Sequence, residues 1–196
     1  MDALLSPLVP ERSDDVATSP LPFADVYRHY LGFVFRNARA LGVRPSAVDD
    51  VVQEVFVVVH GQLDALRDHS RLRPWISRIL VNIVRHHRRT LARKSPHDRS
   101  GNEGSDPDEL ASGAPDPHQV AELGERARQV QRLLESMDDA KREVLVLAEI
   151  EELSVPEIAD ILGVKLNTAY SRLRLAREAF DEALARDRAR NDRGMR

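Results

Sequence analysis

Apolar residues recur at helical spacing through most of the chain. Between residues 47 and 59, one helix face collects Val48, Val51, Val52, Val55, Phe56 and Val59. The complementary face, here called the acidic face, consists of Asp49, Asp50, Gln53 and Glu54. A strand would require alternation with period two, which this stretch lacks. The pattern therefore predicts an amphipathic helix, with Ser46 as its cap.

A second long helix is predicted from about Arg73 to Arg93. Its apolar stripe consists of Trp75, Ile76, Ile79, Leu80, Ile83 and Val84. Another face carries Arg78, Asn82, Arg85 and Arg89, with Arg88 and Arg93 beside them. Trp75 reads most simply as a core anchor, and stacking on an unpaired base is the alternative. No strand pattern of comparable length is present, so the predicted fold is all-α.

The segment Leu153–Glu178 has the pattern of a helix-turn-helix. Ser154 and Glu157 have capping-box spacing, and Gly163 stands where a helix ends in a left-handed residue. A second helix is predicted to open near Asn167 or Thr168. Its inward residues would be Ala169, Leu173, Ala176 and Phe180. Its outward side would carry Tyr170, Ser171, Arg174 and Arg177, with Lys165 in the turn and Arg172 at the flank. Such a helix fits a DNA major groove, and a solvated helix pair is the alternative.

Changes in composition divide the chain. Two Pro-, Ser- and Asp-rich stretches lack the apolar residues that a core requires. We therefore predict two small helical domains joined by a flexible linker. The predicted boundaries are a disordered tail at 1–22, a first domain at 23–94, a linker at 95–118, a second domain at 119–186 and a frayed tail at 187–196.

Charge is unevenly distributed along the chain. The net charge is −3, yet residues 71–97 hold eight Lys or Arg and no acid, whereas residues 101–160 hold sixteen acids against five bases. A basic helix without interleaved acids forgoes the usual ion pairs along its surface, which favours contact with phosphates. The chain has no Cys, which excludes disulfides and thiolate chemistry. We expect a cytoplasmic protein without membrane insertion, because no signal peptide or spanning segment is recognisable.

The acidic face has three interpretations: a solvated surface, a metal site or a docking surface for a basic partner. A metal site would require further ligands on a partner helix, and the sequence offers none. No cofactor motif is found, and no pairing of a nucleophile with a base indicates an enzyme. Tyr170 is either a DNA contact or a partly buried surface residue, and its position does not separate the two.

Two motifs in order resemble one family. AVDDVVQEVFVVV (Ala47–Val59) followed by RPWISRILVNIVRHHRR (Arg73–Arg89) resembles region 2 of the sigma-70 family of bacterial transcription initiation factors. REVLVLAEIEELSVPEIADILGVKLNTAYSRLRLARE (Arg142–Glu178) resembles region 4. The two-region layout is similar to the extracytoplasmic-function (ECF) group. The resemblance covers about Phe23–Lys94 and Gln119–Leu184.

The resemblance implies partners and roles. The acidic face, Asp49, Asp50, Gln53 and Glu54, would bind the clamp helices of the β′ subunit of core RNA polymerase, and region 4 would approach the β flap. The loop at about Leu66–Leu72 would capture a flipped base of the promoter. Minus-ten DNA would contact Arg78, Asn82, Arg85, His86, Arg88 and Arg89. Minus-thirty-five DNA would contact Lys165, Asn167, Thr168, Tyr170, Ser171, Arg172 and Arg174. An anti-sigma partner is also implied.

The chain departs from the family pattern at two places. Relatives often have Gly where Glu152 stands, and Gly-Thr-Val-Lys where Asn167–Tyr170 stand. Asn167 is expected to cap its helix in place of that Gly. The alternative function is a stand-alone helix-turn-helix regulator, which leaves the motif Ala47–Val59 unexplained. A metal-dependent nucleic-acid enzyme would need ligands that the sequence does not provide.

Overall fold

The computed structural model describes residues 21–94 and 117–194. Within these ranges the chain forms helices and connecting turns, and it contains no strand. None of the described helices combines the length and the apolar character needed to cross a membrane. The all-α prediction is therefore confirmed for the described residues. Residues 95–116 of the predicted linker and residues 1–20 of the predicted tail lie outside them.

The first helical unit contains three helices. They are α1 (Phe23–Ala40), α2 (Pro45–Gln62) and α3 (Leu72–Lys94). Two single-turn 3₁₀ helices, Leu63–Ala65 and His69–Arg71, join α2 to α3. All six predicted apolar residues of α2 are buried, as are Ile76, Ile79, Leu80, Ile83 and Val84 of α3, with Trp75 partly buried against them. The helical periodicity thus predicted the core-facing side of both helices.

The start of α2 differs from the prediction. The helix begins at Pro45, preceded by Arg44 in extended conformation, and it has no side-chain cap. The prediction of Ser46 as its cap is therefore wrong. Proline is favoured in the first turn of a helix because its missing N–H would have no partner there. Pro45 thus starts the helix one residue before the serine.

The second helical unit contains four α-helices and one turn of π-helix. They are α4 (Pro117–Glu135), α5 (Asp139–Leu145), the π-turn Val146–Ile150, α6 (Val155–Leu162) and α7 (Leu166–Gly194). Helix α7 packs against α4, α5 and α6, and its described part extends to Gly194. The domain boundaries drawn from composition remain predictions.

The two units pack against each other. Helix α3 contacts α6, and α1 contacts α4. Buried residues of both units form one continuous apolar cluster that extends from Val26 in α1 to Ala176 in α7. The sequence predicted two separate domains but contained no signal for this contact. This contact between the units determines which basic side chains of α3 are exposed to solvent.

Candidate functional site

The helix-turn-helix forms as the sequence predicts. The carboxylate of Glu157 accepts hydrogen bonds from the backbone N–H of Ser154 at 2.9 Å and from its hydroxyl at 2.6 Å. These bonds hold the pKa of Glu157 below its usual range. Helix α6 ends at Gly163, whose φ of 67° lies in the left-handed region. The N–H of Val164 closes the turn on the carbonyl of Ala159 at 3.0 Å.

Helix α7 presents the predicted polar surface. Ala169, Leu173 and Ala176 are buried, with Phe180 partly buried, so the inward face is confirmed. On the outward face the exposed residues are Lys165, Asn167, Tyr170, Ser171 and Arg174, while Thr168 and Arg172 are half-buried. The helix begins at Leu166, so Asn167 lies inside its first turn and does not cap it. The arrangement can place polar and basic groups against base edges and phosphates.

The acidic face of α2 is open to solvent. Asp49, Asp50, Gln53 and Glu54 are all exposed, on the side of the helix opposite its six buried apolar residues. No group of three or more metal-ligating side chains occurs in the described residues. This exposure is compatible both with a solvated surface and with a docking surface for a basic partner. The charged groups are held outward by a helix anchored in the core.

The basic surface of helix α3, unlike the acidic face of α2, is partly covered by the second unit. Of the six residues proposed to contact minus-ten DNA, Asn82, His86 and Arg89 are exposed. The remaining three, Arg78, Arg85 and Arg88, form ion pairs with the second unit. Half of the predicted minus-ten set thus contacts protein, which the charge pattern did not indicate.

One buried carboxylate binds two of these arginines. The Glu143 side chain, 5% exposed, accepts from Arg85 at 2.7 Å and from Arg88 at 2.9 Å. Arg85 also donates to the carbonyl of Leu162 at 3.3 Å, and Arg88 donates to the carbonyl of Leu41. A buried charge of this kind is stable only when its partners are in place. Glu143 therefore ties α5 to α3.

Two further acids extend the contact. Glu151, whose side chain is 4% exposed, accepts from Arg73 at 3.0 Å and from the side-chain amide of Asn37 at 2.7 Å. Asp160 of α6 pairs with Arg78 on a more exposed part of the interface. We call Glu143, Glu151 and Asp160 the acidic patch of the second unit. The sequence analysis counted these acids only as part of a broad acidic block, although Glu143 adjoins the apolar run Val144–Leu147.

The buried side chain of Arg142 contacts both helical units. Its buried guanidinium donates to the carbonyls of Leu134 at 2.6 Å and Met137 at 2.7 Å, near the end of α4. It also reaches the carbonyl of Leu41 in the first unit at 3.3 Å. Burial lowers the pKa of Arg142 from its usual value. Sequence reasoning missed this residue because its other contacts are mainly with carbonyl groups at a turn that periodicity does not describe, and its bond to Leu41 joins positions 101 residues apart.

Each of the two helical units matches a family model. The family model described as "Sigma-70 region 2" matches residues 26–94, and "Sigma-70, region 4" matches residues 127–180. The chain is 33% identical over 140 residues to the RNA polymerase sigma factor NccH of Alcaligenes xylosoxydans xylosoxydans, covering 71% of this chain and 74% of that protein. It is also 33% identical over 140 residues to the ECF RNA polymerase sigma-E factor of Escherichia coli K12, covering 68% and 72%.

Two solved structures have similar folds. One is CnrH in complex with the cytosolic domain of CnrY, with a TM-score of 0.58, 28% identity and coverage of 84% of this chain and 88% of that chain. The other is the sigma factor RpoE in complex with the anti-sigma factor NepR from Bartonella quintana, with a TM-score of 0.64, 21% identity and coverage of 83% and 96%. The chain belongs to the sigma-70 family of transcription initiation factors, in its ECF group. Its function is promoter-directed initiation of transcription.

Proposed function

We propose that the acidic face of α2 is the surface that binds the clamp helices of β′. The observation that carries this proposal is the exposure of Asp49, Asp50, Gln53 and Glu54 on a helix whose opposite side is fully buried. Such a face can be altered without disturbing the core. An exposed acidic surface also steers a basic partner and sets the orientation of binding.

Promoter DNA contacts two helices in this proposal. The minus-thirty-five element is contacted by Lys165 in the turn before α7 and by six residues of the helix itself: Asn167, Thr168, Tyr170, Ser171, Arg172 and Arg174. Asn82, His86 and Arg89 of α3 contact the minus-ten strand, joined by Arg78, Arg85 and Arg88 when these are free. The segment at about Leu66–Leu72, which includes the second 3₁₀ helix, captures the flipped base. Asp68 stabilises this loop by accepting from the N–H of Ser70 at 3.0 Å.

The chain contributes binding and positioning, and the polymerase performs the chemistry. The second unit approaches the β flap, as the family resemblance implies. Because the protein binds RNA polymerase in this proposal, we place it in the cytoplasm. The two similar solved structures contain partner proteins, described as the cytosolic domain of CnrY and as an anti-sigma factor, and we propose an anti-sigma partner for this chain as well.

Run-off transcription with purified core polymerase tests the proposal. The double reversal Asp50→Arg, Glu54→Arg is compared with the unmodified chain on genomic fragments that include its own upstream region. We expect discrete transcripts that require the protein and that the double reversal abolishes. The loss follows because like charges would then face each other across the docking surface.

A matched control reverses two exposed acids elsewhere. Glu182→Arg with Asp192→Arg makes the same change in net charge on α7, far from the acidic face in sequence. This control should retain transcription. Normal transcription from the α2 double reversal would remove the docking assignment. Tight sequence-specific DNA binding without any polymerase-dependent transcript would favour a stand-alone regulator instead.

A further inference from the structure

Two exposed apolar side chains lie on the outward surface of α7. Tyr170 is 54% exposed and Leu175 is 43% exposed, and neither belongs to the apolar cluster formed by the described residues. Because an α-helix turns by about 100° per residue, Ser171 and Arg174 lie between them on the side opposite the buried residues. Leu175 is therefore part of the same surface as the residues proposed above to contact the minus-thirty-five element, although it is not among them.

The hydrogen-bonding groups between these two side chains already have partners within the helix. The Ser171 hydroxyl donates to the carbonyl of Asn167 at 2.9 Å. The Nη1 of Arg174 donates to Oε1 of Glu178 at 2.5 Å, in an ion pair between neighbouring turns. The tyrosine ring and the leucine side chain, by contrast, expose apolar carbon atoms that gain nothing from water or from a phosphate. Their contribution to binding therefore requires an apolar group on the partner.

Thymine supplies such a group in DNA. Every base pair presents hydrogen-bonding groups in the major groove, but among the four bases only thymine presents a methyl group there. Contact between this methyl group and an apolar side chain removes apolar surface of both from water. Residues 170 and 175 are separated by about 7.5 Å along the helix axis, which is about two base-pair steps of DNA. The two side chains can therefore meet methyl groups at two different positions of one element.

We propose that Tyr170 and Leu175 are specificity-determining residues that recognise thymine methyl groups in the minus-thirty-five element. The inference rests on the proposed contact of α7 with that element, and it adds both a residue and the identity of the base. Ser171 and Arg174 lie between the two apolar contacts, where they meet polar base edges or phosphates. The recognition surface thus combines an apolar contact at each edge with polar groups at its centre.

Replacement of thymine by 2′-deoxyuridine tests the proposal, because it removes only the methyl group. The run-off experiment described above first identifies a promoter that requires the protein. Each thymine of its minus-thirty-five element, on either strand, is then replaced singly, and binding of the holoenzyme is measured by competition with the unmodified fragment. We expect about a fourfold loss of affinity at one or two positions, the effect of one buried methyl-sized group. Thymines in the spacer between the two elements should tolerate the replacement.

Variants of α7 then assign the methyl contacts. Leu175→Ala and Tyr170→Ala should each abolish the uracil penalty at one position, because the side chain that covers the methyl group is gone. Tyr170→Phe should retain the penalty, because the aromatic ring rather than the hydroxyl makes the contact.

Leu166→Ala is the matched control for Leu175→Ala. Leu166 is 44% exposed on the same helix, but it lies nine residues before Leu175 and so about 180° around the helix from it. This variant should leave every uracil penalty unchanged. Far-ultraviolet circular dichroism verifies that each variant is folded.

The outcomes separate this inference from the proposed function. Promoter binding and transcription with no uracil penalty anywhere in the element would overturn methyl recognition and leave the role of α7 intact. A penalty that persists in both Leu175→Ala and Tyr170→Ala would also overturn the assignment, since another group would then contact the methyl. Absence of any protein-dependent transcript would overturn the proposed function itself, and the inference with it.

Discussion

Helices α2 and α3 pack side by side in one core, yet their polar surfaces meet different environments. The acidic face of α2 is exposed, whereas Arg85 and Arg88 of α3 are bound to Glu143 of the other unit. Both helices were predicted from the same apolar periodicity. The difference teaches that periodicity determines which side of a helix is buried in its own unit. What covers the other side depends on contacts from distant parts of the chain.

The largest expected difference comes from matched amide substitutions on the two surfaces. Glu143→Gln should reduce the free energy of unfolding by about 3 kcal/mol, because it leaves two guanidinium groups without their buried carboxylate. Asp50→Asn should change it by less than about 0.5 kcal/mol, because that carboxylate is exposed. Urea denaturation of both variants measures the two values. Equal small losses would contradict the structural importance of the Glu143 pairs.

Arg174 tests whether the outward surface of α7 recognises sequence. Once a promoter is known, Arg174→Ala should reduce discrimination against a mismatched minus-thirty-five element by about 1–3 kcal/mol if the guanidinium contacts a base. Competition binding of holoenzyme to matched and mismatched promoters measures this. Arg186→Ala, three turns further along α7 and also exposed, is the control. A uniform loss on all sequences would reassign Arg174 to a phosphate contact.

Glu151 and Glu152 repeat the contrast between bound and exposed acids at adjacent positions. Glu151 is buried in the interface, while Glu152 is exposed with a φ of 53° in the left-handed region. A side chain costs about 1–2 kcal/mol there, whereas glycine costs more conformational entropy on folding. Glu152→Gly should therefore raise the free energy of unfolding by about 0.5–1 kcal/mol in thermal denaturation. Glu152→Ala retains the strain, so an equal gain from alanine would contradict this explanation.

The smallest effect concerns Glu157 at the start of α6. Its folded pKa is lowered by the Ser154 hydroxyl and backbone N–H, so its stabilisation is present above the unfolded pKa. That stabilisation is lost as pH falls through the lowered folded value. Glu157→Gln should cost about 0.5–1 kcal/mol at pH 7, a typical capping contribution, and progressively less below about pH 4. Urea denaturation across pH, comparing the variant with the parent, measures this; a difference independent of pH would contradict it.

Much of the fold followed from local sequence signals. The buried stripes of α2 and α3 follow from helical spacing, and the turn at Gly163 follows from a residue that tolerates left-handed backbone. These features were predictable because their causes lie within a few residues of each other.

The contact between the units was not predictable in this way. Arg85 and Glu143 are 58 residues apart, and Arg78 and Asp160 are 82 residues apart. Neither helical periodicity nor capping rules relate residues at such separations. The basic run of α3 was interpreted as a surface for phosphates, and in the structure four of its arginines pair with carboxylates of the second unit. It did not distinguish phosphates from carboxylates of the same chain.

The close packing of Gly42 against Arg142 limits the substitutions that the chain can accept at residue 42. Its φ of 88° already favours glycine, and a Cβ atom added there would overlap the Arg142 guanidinium of the second unit. A mutation at residue 42 therefore has an outcome that depends on residue 142, about a hundred positions away. Exchanging one half of the chain for a relative's would therefore require residues 42 and 142 to be considered together.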